Sequence, residues 1–481
     1  MDFIETITAI ATPRGRGGIG IIRLSGPKSL VIAQKIADAV PQPGQFIFTA
    51  LKNQNNQRID QGLVLYFKAP HSFTGEDVVE FQTHGSPIVL DILLETAVHY
   101  GARLASAGEF SERAFLNNKI DLTQAEAIAD LIEATSRQAA QSAMHSLQGE
   151  FSKHIHALVE TLIHLRSYIE ASLDFSDEDI DFLGEYQLQN KLQKLRSDLS
   201  HIEKLTRQGV LLKEGISVVI TGKPNAGKSS LLNKLSGEDV AIVTEIAGTT
   251  RDILKQEIVL ECLTLQLIDT AGIRETNDRI EQEGIRRAYD ATEKADVILW
   301  IMDVTEPIDE KEMARLIQYQ KPVIAIFNKC DLLDETTKKN IPLLLEDVTS
   351  CRHPRAGGGP LGPWIPAYAG MTKQSSNTNF PSILFSAKTG EGIDQLIEAL
   401  KKAVDYPSDT EGVFIARRRH IEALNAAQSY LEKAEIQLNQ RHYELLAEEL
   451  KLAQQALSQI TGVFSSDDLL GSIFSSFCIG K

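Results

Sequence analysis

Gly222-Lys223-Pro224-Asn225-Ala226-Gly227-Lys228-Ser229 follows the apolar run Ile216-Ser217-Val218-Val219-Ile220 and leads into Ser230-Leu231-Leu232-Asn233-Lys234-Leu235, which reads as a helix. A strand, a GxxxxGKS turn and a helix start form an anion cradle. Loop N–H groups and the positive end of the helix face phosphate oxygens, Lys228 reaches the β and γ oxygens, and Ser229 offers a ligand to Mg2+. The candidate triphosphate residues here are Asn225, Ala226, Gly227, Lys228, Ser229 and Ser230. An ordinary glycine loop is the plain alternative, and the strand-turn-helix context weighs against it.

A phosphate cradle does not choose a base, so the ends of the next strands matter. Leu265-Gln266-Leu267-Ile268 runs into Asp269-Thr270-Ala271-Gly272, which puts Asp269 near Mg2+ and the Gly272 amide near the γ-phosphate. Pro322-Val323-Ile324-Ala325-Ile326-Phe327 delivers Asn328-Lys329-Cys330-Asp331. The Asp331 carboxylate can accept from guanine N1–H and the 2-amino group, Asn328 holds the loop, and the Lys329 stem covers the ring. Adenine lacks both donors and would leave that carboxylate unpaired, a loss of about a hundredfold in affinity. Ile383-Leu384-Phe385 leads to Ser386-Ala387-Lys388, whose backbone meets guanine O6. Three motifs at three strand ends imply a doubly wound α/β sheet with its ligand at the carboxyl edge.

The loop Thr244-Glu245-Ile246-Ala247-Gly248-Thr249-Thr250 lies where a switch segment would close on the γ-phosphate, with Thr250 the choice for the Mg2+ shell and Thr249 beside it. The position after Gly272 is Ile273, where Ras-like proteins carry a water-orienting glutamine. Hydrolysis therefore needs another group. No arginine finger is recognisable, and a monovalent cation held by Asn225 with the carbonyls of Thr244 and Ile246 would neutralise the same charge. Asn225 taken alone reads as a loop residue.

The chain has 481 residues, 43% hydrophobic and 24% charged, a length that suggests about three domains. Residues 1–118 alternate β-branched runs with turns and read as a small α+β domain; helical period takes over across 119–212. A nucleotide domain over 213–403 interrupts that helical pattern, which resumes over 404–481, so the α/β domain is inserted in a helical bundle. The acidic break Asp174-Phe175-Ser176-Asp177-Glu178-Asp179-Ile180-Asp181 reads as a capped, solvated loop. Gly and Pro crowd the stretch from about 349 to 381, which has no period and reads as a tolerated insert. The net charge of -16 excludes a broad nucleic-acid surface, so any such contact is local or shared with a partner. Four unpatterned cysteines point to a reducing, cytoplasmic setting, and neither a signal peptide nor a membrane span is expected.

Other signals weaken on inspection. Gly15-Arg16-Gly17-Gly18-Ile19-Gly20 matches GxGxxG but enters a β-like run, so a turn is expected rather than a dinucleotide site. Cys478 stands fourth from the end, but Gly480 and Lys481 do not suit a prenylation box. A reactive thiol and a packed one are equal readings of Cys478. Arg417-Arg418-Arg419-His420 opens a helix, and contact with nucleic-acid phosphates or a solvated or interdomain patch are the two expectations.

Ser72-Phe73-Thr74-Gly75-Glu76-Asp77, Gly108-Glu109-Phe110-Ser111-Glu112-Arg113-Ala114-Phe115, Gly248-Thr249-Thr250-Arg251-Asp252 and Phe477-Cys478-Ile479-Gly480-Lys481 closely resemble the bacterial MnmE (TrmE) family of tRNA-modification GTPases over nearly the whole chain, the insert excepted. The resemblance implies a K+-stimulated GTPase with Asn225, Thr244, Ile246 and Thr249 at the K+ positions and Glu281 as the catalytic glutamate beside Lys228 and Gly272. It implies a folate-binding N-terminal domain that forms the homodimer, with Arg23, Glu80, Lys119 and Lys481 contacting a 5,10-methylene or 5-formyl tetrahydrofolate. It also implies joint action with a flavin-containing partner of the MnmG (GidA) type, which installs an aminomethyl or carboxymethylaminomethyl group on C5 of the wobble uridine. Two other classes stay open at this point: a regulatory GTPase acting on ribosomes, and a folate-dependent aminomethyl transferase with a vestigial nucleotide domain.

Overall fold

In this computed structural model the described residues are 5–134, 136–174, 185–236, 256–260, 263–267, 292–293, 295–334, 338, 380–406, 414–463, 467–475, 477 and 480. The chain divides into two compact units, one of Met1–Gly209 with Gly412–Lys481 and the other of Val210–Glu411. The multidomain α/β reading, with an α+β segment, a helical bundle and an α/β nucleotide fold set within it, is borne out.

The first unit begins with β1 (Ile7–Ile10), β2 (Gly17–Ser25), β3 (Phe46–Lys52), β4 (Arg58–Phe67), β5 (Val78–Gly85) and β6 (Arg103–Leu104), in the order β3-β4-β5-β2-β1-β6. Side chains alternate between faces of a strand, so Ile22 and Leu24, Val64 and Tyr66, and Val79 and Phe81 share one face. Helices α1 (Ser29–Ile36) and α2 (Pro87–His99) bury that face with Ile32, Ile36, Leu90 and Leu93. The residues between them, Arg23, Leu63, Leu65 and Glu80, are half-buried on the other face. The GxGxxG stretch is not the expected turn: Gly17–Gly20 already belong to β2, and only Gly15 and Arg16 precede it, so the stretch enters a strand and not a helix.

Helix α3 (Glu109–Leu116) carries Arg113, 1% exposed and gripped by Glu109 at 2.9 Å and Glu76 at 3.1 Å. Helices α4 (Leu122–Glu133), α5 (Arg137–Leu147), α6 (Glu150–Asp174) and α7 (Glu185–Glu214) follow. Asp121 caps α4 by accepting from Gln124 N–H while the Gln124 side chain accepts from Asp121 N–H.

In the second unit, β7 (Ile216–Thr221), β8 (Gln256–Leu260), β9 (Leu263–Leu267), β10 (Val297–Asp303), β11 (Val323–Asn328) and β12 (Ser382–Leu384) form a sheet ordered β12-β11-β10-β7-β9-β8. All pairs are parallel except β8 with β9. Strands covered on both faces read as continuous apolar runs, which is why β7, β10 and β11 lack alternation. Helices α8 (Lys228–Ser236), α9 (Glu310–Gln318) and α10 (Ile393–Ala403) belong to this unit.

The chain then rejoins the first unit through α11 (Arg418–Asn439), α12 (Tyr443–Thr461) and α13 (Asp467–Ser475). Phe414, at the point of return, stacks on Phe151 with ring centroids 4.4 Å apart. A Cβ on Gly209, at the point of departure, would lie 2.2 Å from the Phe414 carbonyl oxygen, so the two crossings touch. Arg419 donates to both oxygens of Glu126 at 2.9 and 2.8 Å, and Arg417 donates to Asp130 at 3.0 Å. His420 Nδ1 accepts from Arg417 N–H, which leaves the proton on Nε2, 3.1 Å from Glu126 Oε2. The structure thus corrects the expectation for Arg417-Arg418-Arg419-His420. Arg417, Arg419 and His420 turn inward because buried carboxylates on α4 need them, and Arg418 alone is exposed.

Burial and the adjacent Arg419 push the His420 pKa down to about 4 from its ordinary 6.5. Burial would raise the Glu126 pKa, but the facing His420 and Arg419 hold it well below the usual range. An imidazole with a depressed pKa binds more protons unfolded than folded between those values, so this unit loses stability as pH falls from 6.5 to about 4. Glu126→Gln removes the buried charge that faces Arg419 and His420 and is expected to cost about 3 kcal/mol or more. Urea unfolding followed by far-UV circular dichroism reports that loss; the fluorescence of Trp300, buried in the second unit, is expected to keep its own transition.

Candidate functional site

The carboxyl ends of β7, β10, β11 and β12 meet at one edge of the sheet, because all four strands run parallel. The loop 222–229 leaves β7 and enters α8 there. Two conformational demands shape it. Asn225 has φ 64°, a left-handed backbone that asparagine tolerates better than most residues. Gly227 has φ 101°, and a Cβ there would lie 2.0 Å from Asn328 Nδ2.

That clash marks the central tie of the site. Asn328 is 2% exposed; its Nδ2 donates to Ala226 O at 2.8 Å, and its Oδ1 accepts from Ala387 N–H at 3.1 Å. One side chain therefore sets the phosphate loop against the loop that follows β12. Ser386 Oγ donates to Asp331 Oδ1 at 2.7 Å, a bond that holds the Asp331 carboxyl below its usual range. Ser386 in turn accepts from Thr389 N–H at 3.2 Å. Lys388 is exposed beside them.

Lys228 donates from Nζ to Gly222 O at 2.6 Å and to Lys223 O at 2.8 Å, so the ammonium lies across the mouth of the loop. Burial lowers its pKa. Ser229 and Ser230 are exposed at the first turn of α8, and Ala226 is buried. A cavity of about 180 Å³ adjoins the start of the loop, between Gly222, Lys223, the end of β10 and Asp309. At its edge Asp303 Oδ2 accepts from Lys329 Nζ at 2.5 Å. Sequence reading missed Asp303, although a carboxylate ending the strand beside Asn328-Lys329-Cys330-Asp331 was a usable signal. It missed Glu126 as well, for which no local signal exists.

In the first unit Arg23 and Glu80 are cross-strand partners, with Nε to Oε1 at 2.7 Å. The Arg23 guanidinium sits 5.6 Å from the Phe110 ring centroid. Lys119 donates to Pro70 O at 3.0 Å, next to Gly75. Thr244, Glu245, Ile246, Ala247, Gly248, Thr249, Thr250, Asp269, Thr270, Ala271, Gly272, Ile273, Glu281, Cys478 and Lys481 lie outside the described residues, as does the insert of about 349–381 up to residue 379. Among the described residues no cluster of His, Cys, Asp and Glu could hold a metal ion by itself, and no helix is long and apolar enough to cross a membrane.

Residues 6–119 match the family model described as GTP-binding protein TrmE N-terminus, and residues 122–478 match that of the MnmE helical domain. The chain is similar to the tRNA modification GTPase MnmE of Legionella pneumophila, 49% identical over 99% of this chain and 100% of the relative. It is likewise similar to that of Proteus mirabilis, 50% identical over the whole of both chains, and to that of Coxiella burnetii, 49% identical over 100% of this chain and 99% of the relative.

Asn328→Ala removes both bonds of the tie and strands two main-chain groups, a loss of about 2 to 3 kcal/mol. Urea unfolding followed by tryptophan fluorescence, without nucleotide, is expected to show it in the second unit alone.

Proposed function

Because the chain belongs to the MnmE family of tRNA modification GTPases, we propose that it binds GTP at the 222–229 loop and hydrolyses it to drive modification of tRNA at the wobble uridine. The observation that supports this reading is the Asn328 tie, which joins the 222–229 loop to the loop after β12, where Ser386 holds the Asp331 carboxylate. Asp331 and the Ser386-Ala387-Lys388 loop read the base. Lys228, freed from the Gly222 and Lys223 carbonyls, moves onto the β and γ oxygens.

Ser229, exposed at the start of α8, would hold Mg2+ with Thr250; Asn225, also exposed, would hold K+ with Thr244, Ile246 and Thr249. Bound there, these cations would supply the positive charge that the β–γ bridge oxygen requires as it leaves. Glu281 orients the attacking water in place of the missing glutamine, with the Gly272 amide on the γ-phosphate.

The N-terminal sheet serves as the folate and dimer element. Arg23 and Glu80 form a paired cation and carboxylate on the face opposite α1 and α2, the chemistry a pteridine and a glutamate tail require, with Lys119 and Lys481 completing the set. On edge strand β3, Phe46 and Phe48 are 69% and 65% exposed, an apolar pair suited to cover by a second copy of this chain. A flavin-containing partner supplies the redox step, and a methylene-tetrahydrofolate supplies the one-carbon unit.

Three measurements test the proposal. Nucleoside analysis of tRNA from cells lacking the gene is expected to lose the C5-substituted wobble uridine; an unchanged profile overturns the tRNA role. Hydrolysis is expected to run faster in K+ than in Na+, and equal rates refute the part given to Asn225. Asp331→Asn reverses one hydrogen-bonding direction, so guanine binding should drop about a hundredfold while xanthine, with a 2-oxo acceptor, gains. Competition binding with GDP and XDP reads both changes.

A further inference from the structure

Strands β10 and β11 are in register so that Asp303 faces Asn328, which sets the Asp303 carboxylate beside the residue that follows, Lys329. The two carboxylate oxygens have separate duties. Oδ1 accepts from Thr305 N–H at 2.9 Å and Thr305 Oγ at 2.7 Å, while Oδ2 takes Lys329 Nζ at 2.5 Å. The Asp303 side chain is 11% exposed, and the lysine is 38% exposed. Thr305 thus orients the carboxylate before any lysine arrives, and the carboxylate then has one free lone-pair direction. Lys329 itself has φ 66°, a left-handed backbone that fixes where its stem departs. With both ends of the stem constrained, the rotamer freedom that a lysine loses on covering a ring has already been lost. Burial would raise the Asp303 pKa, but the bonds from Lys329 and Thr305 outweigh it and keep the carboxyl below its ordinary value.

We propose that Asp303 is a positioning residue of the nucleotide site, an anchor for the Lys329 ammonium that holds the lysine stem as a preformed cover over the base. This rests on the guanine reading of Asn328-Lys329-Cys330-Asp331. Asp303 touches no part of the nucleotide and acts only through Lys329. Loss of the anchor leaves the stem its apolar surface but makes each binding event order it afresh.

The test is dissociation of N-methylanthraniloyl-GDP from the full-length protein, followed by stopped-flow fluorescence. Asp303→Asn keeps the shape and the Thr305 contacts but removes the charge from the lysine bond, and dissociation is expected to be about tenfold faster, as for loss of a charge-assisted hydrogen bond. Lys329→Met keeps an apolar stem without an ammonium and is expected to give the same tenfold change. The double variant is expected to be no faster than either single one. A purely structural role in the 303–305 turn would give the Asp303→Asn effect undiminished in the Lys329→Met background, and that result overturns the proposal. So does dissociation from Asp303→Asn within twofold of the parent. If Asp303→Asn does not fold, Lys329→Met alone decides, because parent-like dissociation from it is incompatible with an anchored cover. The Asp331→Asn variant, assayed in parallel, separates the two failures: unchanged guanine binding there refutes the guanine reading, whereas its expected loss with a silent Asp303→Asn refutes only the anchor.

Discussion

A carboxylate buried among cations is costly unless every oxygen is paired, and Glu126 is paired on every side. Its partners are 293 positions further along the chain at Arg419, beyond the whole nucleotide unit. A domain can be set into a helical bundle only if the outgoing and incoming chains lie side by side, otherwise the bundle opens. Here the absent side chain of Gly209 admits the Phe414 carbonyl, and the ring of Phe414 is seated on Phe151. The apolar contact supplies most of the adhesion; the Glu126 set supplies direction, because a bidentate guanidinium pair accepts one orientation. His420 adds selectivity for a neutral imidazole, since a second proton would displace the Arg417 N–H. The return of the chain is thereby fixed to α4. The first turn of that helix packs through Leu122 and Ala125 against Ile473, Phe474 and Phe477 near the C-terminus.

The same economy governs the nucleotide unit. Asn328 is an amide, with a donor and an acceptor on one rigid plane, so it can join two loops that have only main-chain groups to offer. Aspartate has no donor for Ala226 O, and leucine would strand both groups. Gly227 follows from Asn328, because any Cβ would occupy the place of its Nδ2. The Asp331 carboxylate is then held by Ser386 on a loop that Asn328 has already placed. The 222–229 loop and the Asp331 carboxylate are therefore parts of one hydrogen-bonded assembly.

Much of this was legible in the order of residues. Buried parallel strands declare themselves as unbroken apolar runs, and three of them end in recognisable motifs, so both the sheet and its functional edge could be read. The switch from β-like alternation to helical period near residue 119 exposed the helical domain. Contacts that depend on register or on distant chain were not legible. Arg23 and Glu80 looked like stray charges in apolar strands until the antiparallel register put them opposite each other. The Arg417–His420 run looked like a surface patch, because sequence gives a basic cluster no means to announce an acid almost three hundred residues earlier. Asp303 lay between these cases: the strand end was foreseen, and the residue on it was passed over.

The electrostatics of the first unit bear on how a nucleic acid could be held. Arg103, Arg113, Arg166, Arg196, Arg417 and Arg419 all hydrogen-bond to side chains of this chain. An arginine bound to a carboxylate has already given up its water and much of its field, so it adds little to phosphate attraction. With a net charge of -16 and these arginines committed to the fold, long-range attraction of an RNA backbone is weak. The phosphate contacts that this chain itself supplies are then few and local, and its own share of binding depends only shallowly on salt, whereas cations added by a basic partner would steepen that dependence.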